Sequence, residues 1–434
     1  MAVAYTNVKG VFAHYMIGSI SSSQRAVDDV TQAQAMGIDA FALNVQFPSA
    51  PWALSTISAL FAAAASSSNF KLFFSLDIAA CPNPPDFSPL LRQYLTHPAY
   101  YRPSGRPLIS TFHGGTQSPS TWSSLLSDLR SSTSTNPLFI PNFEDASPFG
   151  STYPSSLLSS FPVDGVLGWE TAWPLAYAPP SQNAQADASN LATAHAASKY
   201  YAQPVSTYQF KHIDNNQNWF RRGSSELING MRRALSLQPD FVELLTWNDG
   251  GEGHWFGNVW PEGITGPMVD MIRGFEHRAW QVVLAPFIGA LKAGAADEGQ
   301  IFPPSGRTIA GAFWYRPLMK TANCWTDAQG MGKPSGWEDA EDVVSVAVML
   351  AANVKPGSVL IKVWSGSTLV IKMAGRPGLN VLDVAANYGT QTVQVVANPS
   401  GQVLAQGVGS IQVTGDIGQL GGLCNYNYHV VEIA

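Results

Sequence analysis

Pro239-Asp240-Phe241-Val242-Glu243-Leu244-Leu245-Thr246-Trp247-Asn248-Asp249-Gly250-Gly251-Glu252 is the stretch on which the reading of this chain turns. Phe241 to Trp247 is an apolar, aromatic run of strand length, and it breaks into Asn, Asp and two Gly. Two carboxylates, Asp249 and Glu252, therefore stand just beyond the carboxyl end of a strand.

Working back from that strand, seven more runs of the same kind precede it, at Gly10 to Tyr15, Asp39 to Val45, Lys71 to Asp77, Pro107 to Phe112, Pro137 to Asn142, Gly165 to Trp169 and Pro204 to Gln209. Helix-period segments separate them, such as Ser23 to Met36, stopped by Gly37, and the Ala- and Leu-rich Trp52 to Ser66. A helix from about Met268 to Leu284 is expected to close the ring. Eight strand-helix pairs in residues 1–294 predict an α/β fold, a (β/α)8 TIM barrel. A doubly wound open sheet fits less well, because no Gly-rich phosphate loop follows the first strand.

Past Ala293-Gly294-Ala295-Ala296 the pattern changes. Runs at Val359 to Trp364, Thr368 to Met373, Leu379 to Val384 and Thr392 to Ala397 alternate between Gly, Pro and Asn turns, so residues 295–434 are expected to form an antiparallel β-domain.

The 434 residues are 45% apolar and only 12% charged, with a net charge of -6 and no basic run able to follow a phosphate backbone. Nucleic acid is not expected as a partner. No segment reads as a membrane span, and Met1-Ala2-Val3-Ala4-Tyr5 lacks the parts of a secretory leader, so the start reads as that of a mature chain. Of the three cysteines, Cys324 and Cys424 fall in the same C-terminal region, where a disulfide and a pair of buried thiols are both open readings.

Active sites of such barrels lie at the carboxyl ends of the strands. The residues there are His14, Asn44, Gln46, Asp77, His113, Asn142, Glu144, Trp169, Glu170, Gln209, Asn248, Asp249 and Glu252. His14, His113 and Asp77 could converge on a metal, but no ligand spacing supports one, and neither a metal nor a cofactor is expected. No Gly-x-Ser-x-Gly elbow is present. Carboxylates, amides and tryptophan without those signatures fit glycoside hydrolysis, which needs one carboxylic acid on the leaving oxygen and one carboxylate on water or carbon. Trp169, Trp173, Tyr208, Trp219, Trp255 and Trp260 are candidates for stacking on sugar faces. The plainer alternatives are that Asp249 caps its own turn, that Asp77 bonds a neighbouring loop, and that each aromatic is packing.

Four blocks together resemble glycoside hydrolase family 71, the fungal α-1,3-glucanases or mutanases. They are Val11-Phe12-Ala13-His14-Tyr15-Met16 with Gly37-Ile38-Asp39-Ala40-Phe41-Ala42-Leu43-Asn44; Phe73-Phe74-Ser75-Leu76-Asp77; the opening stretch continued to Gly253-His254; and Asn218-Trp219-Phe220-Arg221-Arg222-Gly223. The resemblance implies a barrel with a β-sandwich-like partner and endo-hydrolysis of α-1,3-glucan with inversion. It places the catalytic carboxylates on Asp249 and Glu252, with Asp77 as a further acidic position. The family commonly carries Tyr and Ser where this chain has Gly250 and Gly253, which bears on subsite packing. The expected enzyme is a secreted monomer acting on α-glucan, with Glu252 as acid, Asp249 as base and Asp77 in support, or with Asp77 and Asp249 exchanged. A different α-glucan or α-mannan as substrate, or a non-catalytic carbohydrate-binding relative, are the rivals.

Overall fold

The computed structural model describes residues 10–20, 22–67, 69–146, 152–174 and 181–434; the start Met1 to Tyr5 lies outside them. The barrel strands are β1 (Gly10–Met16), β2 (Ala40–Val45), β3 (Lys71–Asp77), β4 (Leu108–Phe112), β5 (Leu138–Phe139), β6 (Gly165–Leu167), β7 (Tyr200–Ser206) and, after the hairpin β8 (Gln209–Asp214) and β9 (Gln217–Arg221), β10 (Phe241–Leu245). They form one parallel sheet in the order β5-β4-β3-β2-β1-β10-β7-β6. The two end strands meet through Asp164 N–H to Phe139 O (2.8 Å) and Leu167 N–H to Pro141 O (2.9 Å), which closes the ring. Inside it, Phe12 packs edge-on against Phe73 at 4.9 Å and stacks on Phe241 at 5.4 Å, filling the axis with aromatic rings.

The seventh strand differs from its sequence reading. Pro204 lies inside β7, opposite Glu243, because Tyr200 to Ala202 already pair with Gly165 to Leu167. Gln209 therefore opens a hairpin and does not end a barrel strand. The expected helix Met268 to Leu284 is two helices, Pro267–Ile272 and Gln281–Lys292, parted at Arg273-Gly274.

Eight further strands follow: β11 (Ile309–Tyr315), β12 (Val343–Leu350), β13 (Val359–Ser365), β14 (Thr368–Ala374), β15 (Gly378–Ala385), β16 (Gln391–Ala397), β17 (Val403–Val408) and β18 (His429–Ile433). Two antiparallel sheets, β15-β12-β11-β18 and β14-β13-β16-β17, share one apolar core. Val359, Ile361 and Val363 of β13 and Val393 and Val395 of β16 face Phe313, Val344, Val346 and Val348 across it. This is a β-sandwich, with the inward alternation expected of half-buried strands.

By contacts the chain divides into two compact units. One holds Met1–Ala172, Pro179–Ser206 and Leu237–Asn248; the other holds Trp173–Ala178, Thr207–Ser236 and Asp249–Ala434. The second unit thus contains the hairpin β8/β9 together with the sandwich. Its loops are tied by Asp327, which accepts from the amides of Cys424 (2.9 Å) and Met331 (2.9 Å) and sits 3.2 Å from His212 Nε2 on β8. Cys324 and Cys424 are joined as a disulfide across a separation of 100 residues. No helix among the described residues is long and apolar enough to cross a membrane.

Removing the disulfide by paired Cys324→Ser and Cys424→Ser is expected to cost about 2–4 kcal/mol of unfolding free energy, since a long loop regains its freedom when unfolded. A thermal melt should show a lowered Tm in the double variant and, under reductant, in the wild type only.

Candidate active site

Asp249, four residues past the end of β10 at Leu245, caps the short turn Gly250–Glu252, its Oδ1 accepting the Glu252 amide at 3.0 Å. The turn sends the Glu252 side chain back toward the hairpin. There Glu252 Oε2 accepts from Gln209 Nε2, and Oε1 accepts from Lys211 Nζ at 3.1 Å. His254, buried, brings Nε2 to 3.5 Å from Asp249 Oδ2 and 3.7 Å from Glu252 Oε2. One oxygen of each carboxylate and one His254 nitrogen lie within 4.8 Å of one another. The Lys211 ammonium already brings a cation to this cluster.

Burial would push the Asp249 carboxyl up, but the His254 hydrogen bond and charge, the Lys211 charge and the Glu252 amide outweigh it and hold it below the usual range. Asp249 is thus an ionised carboxylate at neutral pH, fit to take a proton from water or to attack carbon. The cap uses only Oδ1, so Oδ2 is left facing His254.

Gly250 and Gly253 have local causes. A Cβ on Gly250 would stand 2.9 Å from Val259 Cγ1, and Gly253 has φ +75 with Phe210 O and Tyr208 Oη each 3.0 Å from where a Cβ would lie.

In the first unit, His14 Nδ1 bonds Glu243 Oε1 at 2.8 Å, both side chains buried. Trp169 meets His14 edge-on at 4.8 Å and Phe112 at 4.9 Å, while His113, at φ +62, stacks on Phe112 at 4.2 Å. This joins the ends of the first, fourth and sixth strands. Asp77 is buried and its Oδ1 accepts the Ala80 amide at 3.0 Å, so one oxygen serves its own turn. Asn44 is buried and Gln46 half-buried at the end of β2.

Several expected sugar contacts instead belong to the scaffold. Asn248 spends its amide on the Met16 backbone, accepting at 2.8 Å and donating at 3.0 Å. Asn142 donates to Leu167 O across the β5/β6 seam (3.1 Å) and to Glu144 Oε2, two residues on (2.9 Å). Tyr208 is buried against Tyr428, its hydroxyl bonded to Asn427, and Trp255 stacks on His277 at 3.6 Å. Trp173 is also buried, 5.4 Å from His254 with Arg221 over its ring. Large rings pack wherever a core is near, which outranks position along the strand. Trp219 remains partly exposed, with Lys211 Nζ 5.0 Å from its ring.

Sequence reasoning missed Glu243, Lys211 and His254 as site members, and it placed Glu144 at the end of the fifth strand without giving it a role. Glu144 Oε2 accepts the amides of Trp169 and Glu170 (both 2.8 Å), fixing the turn Glu170–Ala172 that carries Trp169. Among the described residues its other oxygen, Oε1, is buried with no hydrogen-bond partner. Burial pushes the carboxyl up to about 8, the Glu170 charge adding to it against the lowering effect of the amides. The position of Glu144 just past the fifth strand was the available signal, and nothing local announces the amides it accepts.

A (β/α)8 barrel followed by a β-sandwich, with two carboxylates paired in the turn after the eighth barrel strand, is an arrangement in which glycoside hydrolysis can run. The comparisons agree. Residues 7–434 match the family described as Glycosyl hydrolase family 71. The chain is 31% identical over 414 residues to a glucan endo-1,3-alpha-glucosidase of Schizosaccharomyces pombe, covering 92% of this chain and 90% of that one. It is 29% identical to a mutanase of Penicillium rubens (93% and 85% covered) and 25% identical to the ascus wall endo-1,3-alpha-glucanase of S. pombe (98% and 98%). In fold it is similar to an endo-alpha-mannosidase of Bacteroides thetaiotaomicron, with TM-score 0.51, 12% identity, and 67% and 98% of the two chains covered. The chain belongs to glycosyl hydrolase family 71 and is a glycoside hydrolase.

Because the folded Glu144 carboxyl titrates above its unfolded value of roughly 4.3, it contributes stability that is fully present below that value and is lost as pH rises through about 8. Glu144→Gln, which cannot ionise, is expected to flatten the fall of Tm between acid and mildly alkaline pH. A melt series across that range in which both proteins fall in parallel would reject the assignment.

Proposed function

We propose that this protein is an endo-acting α-1,3-glucan hydrolase. The observation that carries the reading is the Asp249-Glu252 turn, with an ionised Asp249 and Glu252 one helical step away, in a chain of family 71 whose relatives are named as α-1,3-glucanases. Glu252 is the general acid on the glycosidic oxygen and Asp249 the general base on water, a single displacement with inversion, as the family resemblance implies. Asp77 supports the ring under attack, on the strength of its strand-end position and the family motif. His14, Trp169, His113, Asn44, Gln46, Glu170 and Trp219 are the proposed sugar contacts, and no metal or cofactor takes part. The enzyme works as a monomer outside the cell, in keeping with the disulfide and the wall glucanases among its relatives.

One observation favours a second reading. Oxygens of Asp249 and Glu252 within 4.8 Å lie nearer the ~5–5.5 Å of retaining pairs than the ~6.5–9.5 Å of inverting ones. Under retention Asp249 attacks the anomeric carbon, forming a glycosyl ester while Glu252 protonates the leaving oxygen; Glu252 then deprotonates the water that releases the sugar.

Proton NMR of the first product from α-1,3-glucan separates the two: a β-anomer is expected, and an initial α-anomer makes Asp249 the nucleophile. Glu252→Gln and Asp249→Asn are each expected to lower kcat by about 10²–10⁴-fold. A panel of α-1,3-, α-1,4- and α-1,6-glucans with α-mannan tests the substrate. Binding without new reducing ends would leave only a carbohydrate-binding protein.

A further inference from the structure

Past Glu252 and the proposed sugar contact Trp219, the second unit carries two further indoles, Trp325 and Trp337, that the catalytic reading does not use. Lys211, bonded to Glu252, lies over the ring of Trp219. Trp219 is bridged through its backbone to Ser335, with Phe220 N–H donating to Ser335 O at 2.8 Å and Ser335 N–H to Asn218 O at 3.0 Å. Two residues on stands Trp337, half-buried, with Lys333 Nζ 3.9 Å from its ring centroid. Lys333 Nζ also donates to Lys320 O at 2.7 Å, so this cation is held in place.

The same strap begins at Trp325, which is 91% exposed. Its backbone is not loose. Trp325 N–H donates to Asn323 Oδ1 at 3.0 Å, the preceding Cys324 is in the disulfide, and Asp327, two residues on, holds the amides of Met331 and Cys424. An indole left in water on a backbone fixed this firmly is preorganised: a flat apolar partner can cover it with little further loss of chain freedom.

The geometry points to an outer binding strip, Trp325 and Trp337, that takes further sugar units of a neutral α-glucan chain beyond those held next to Glu252. The pyranose ring has the matching chemistry, an apolar C–H face for an indole and a rim of hydroxyls for a held ammonium such as Lys333. The low charge of the chain and the continuity of the strap with Trp219 favour a neutral polysaccharide over an anionic one. This inference rests on the reading of the enzyme as an α-glucan hydrolase.

The test compares full-length wild type with Trp325→Ala, Trp337→Ala and the double variant, in sedimentation binding to insoluble α-1,3-glucan and in release of reducing ends from that polymer and from short soluble α-1,3-oligosaccharides. Expected is a drop in polymer affinity of at least fivefold in the double variant, with the insoluble-to-soluble rate ratio falling by a similar factor. Binding and ratio within twofold of wild type would overturn the strip. Should Trp337→Ala melt early, Trp325→Ala decides alone, since its side chain is in solvent. If wild type cleaves no α-1,3-glucan, the substrate reading fails separately, and the strip stands or falls by the same ratio on the α-glucan that wild type does cleave.

Discussion

A parallel sheet gains its full complement of hydrogen bonds only when its two end strands find each other, and here the strands that must meet are the shortest. β5 spans two residues and β6 three, so the ladder alone cannot join them. Two backbone bonds are supplemented by side chains: Asn142 donates to Leu167 O, and the Tyr153 hydroxyl donates to the same carbonyl at 2.8 Å while accepting the Phe143 amide at 2.9 Å. Glu144 continues this seam into the turn behind Trp169. The buried polar groups at this end of the barrel thus complete the backbone accounting that closure demands. Once closed, the ring brings the strand ends around one mouth, which is where His14, Trp169 and His113 meet.

At the turn after the eighth barrel strand the chemistry is set by how many donors surround two acids. Asp249 receives an amide and a histidine, Glu252 a lysine and a glutamine amide. Donors aimed at a carboxylate stabilise its charge, and those around Asp249 prevail over burial. The hairpin β8/β9 supplies two of the four, so this insertion between the seventh and eighth barrel strands forms part of the surroundings of the two acids.

Much of this was legible in the sequence. Apolar runs of strand length gave all eight barrel strands, because parallel strands buried on both faces leave little room for other residue types. Asp249 and Glu252 could be singled out as candidates because a barrel forces strand ends to be the mouth. What escaped was set by partners distant in the chain. Lys211 reaches Glu252 from a hairpin whose residues carry an ordinary polar pattern, and Glu243 looks like a stray charge until His14 is seen against it. Tyr208 and Trp255 were misplaced for the same reason: whether a ring faces sugar or core depends on Tyr428 and His277, and no local pattern announces them. Pro204 inside β7 went against the habit of proline to open strands.

The bond between Cys324 and Cys424, and the loops gathered on Asp327, bear on the order in which the molecule is made. Synthesis delivers the hairpin β8/β9 well before Ser335, Asp327 and Tyr428, the residues that pair with it or pack beside it. On the ribosome the hairpin must therefore wait, its strand edge bare and open to wrong partners, until the later chain emerges.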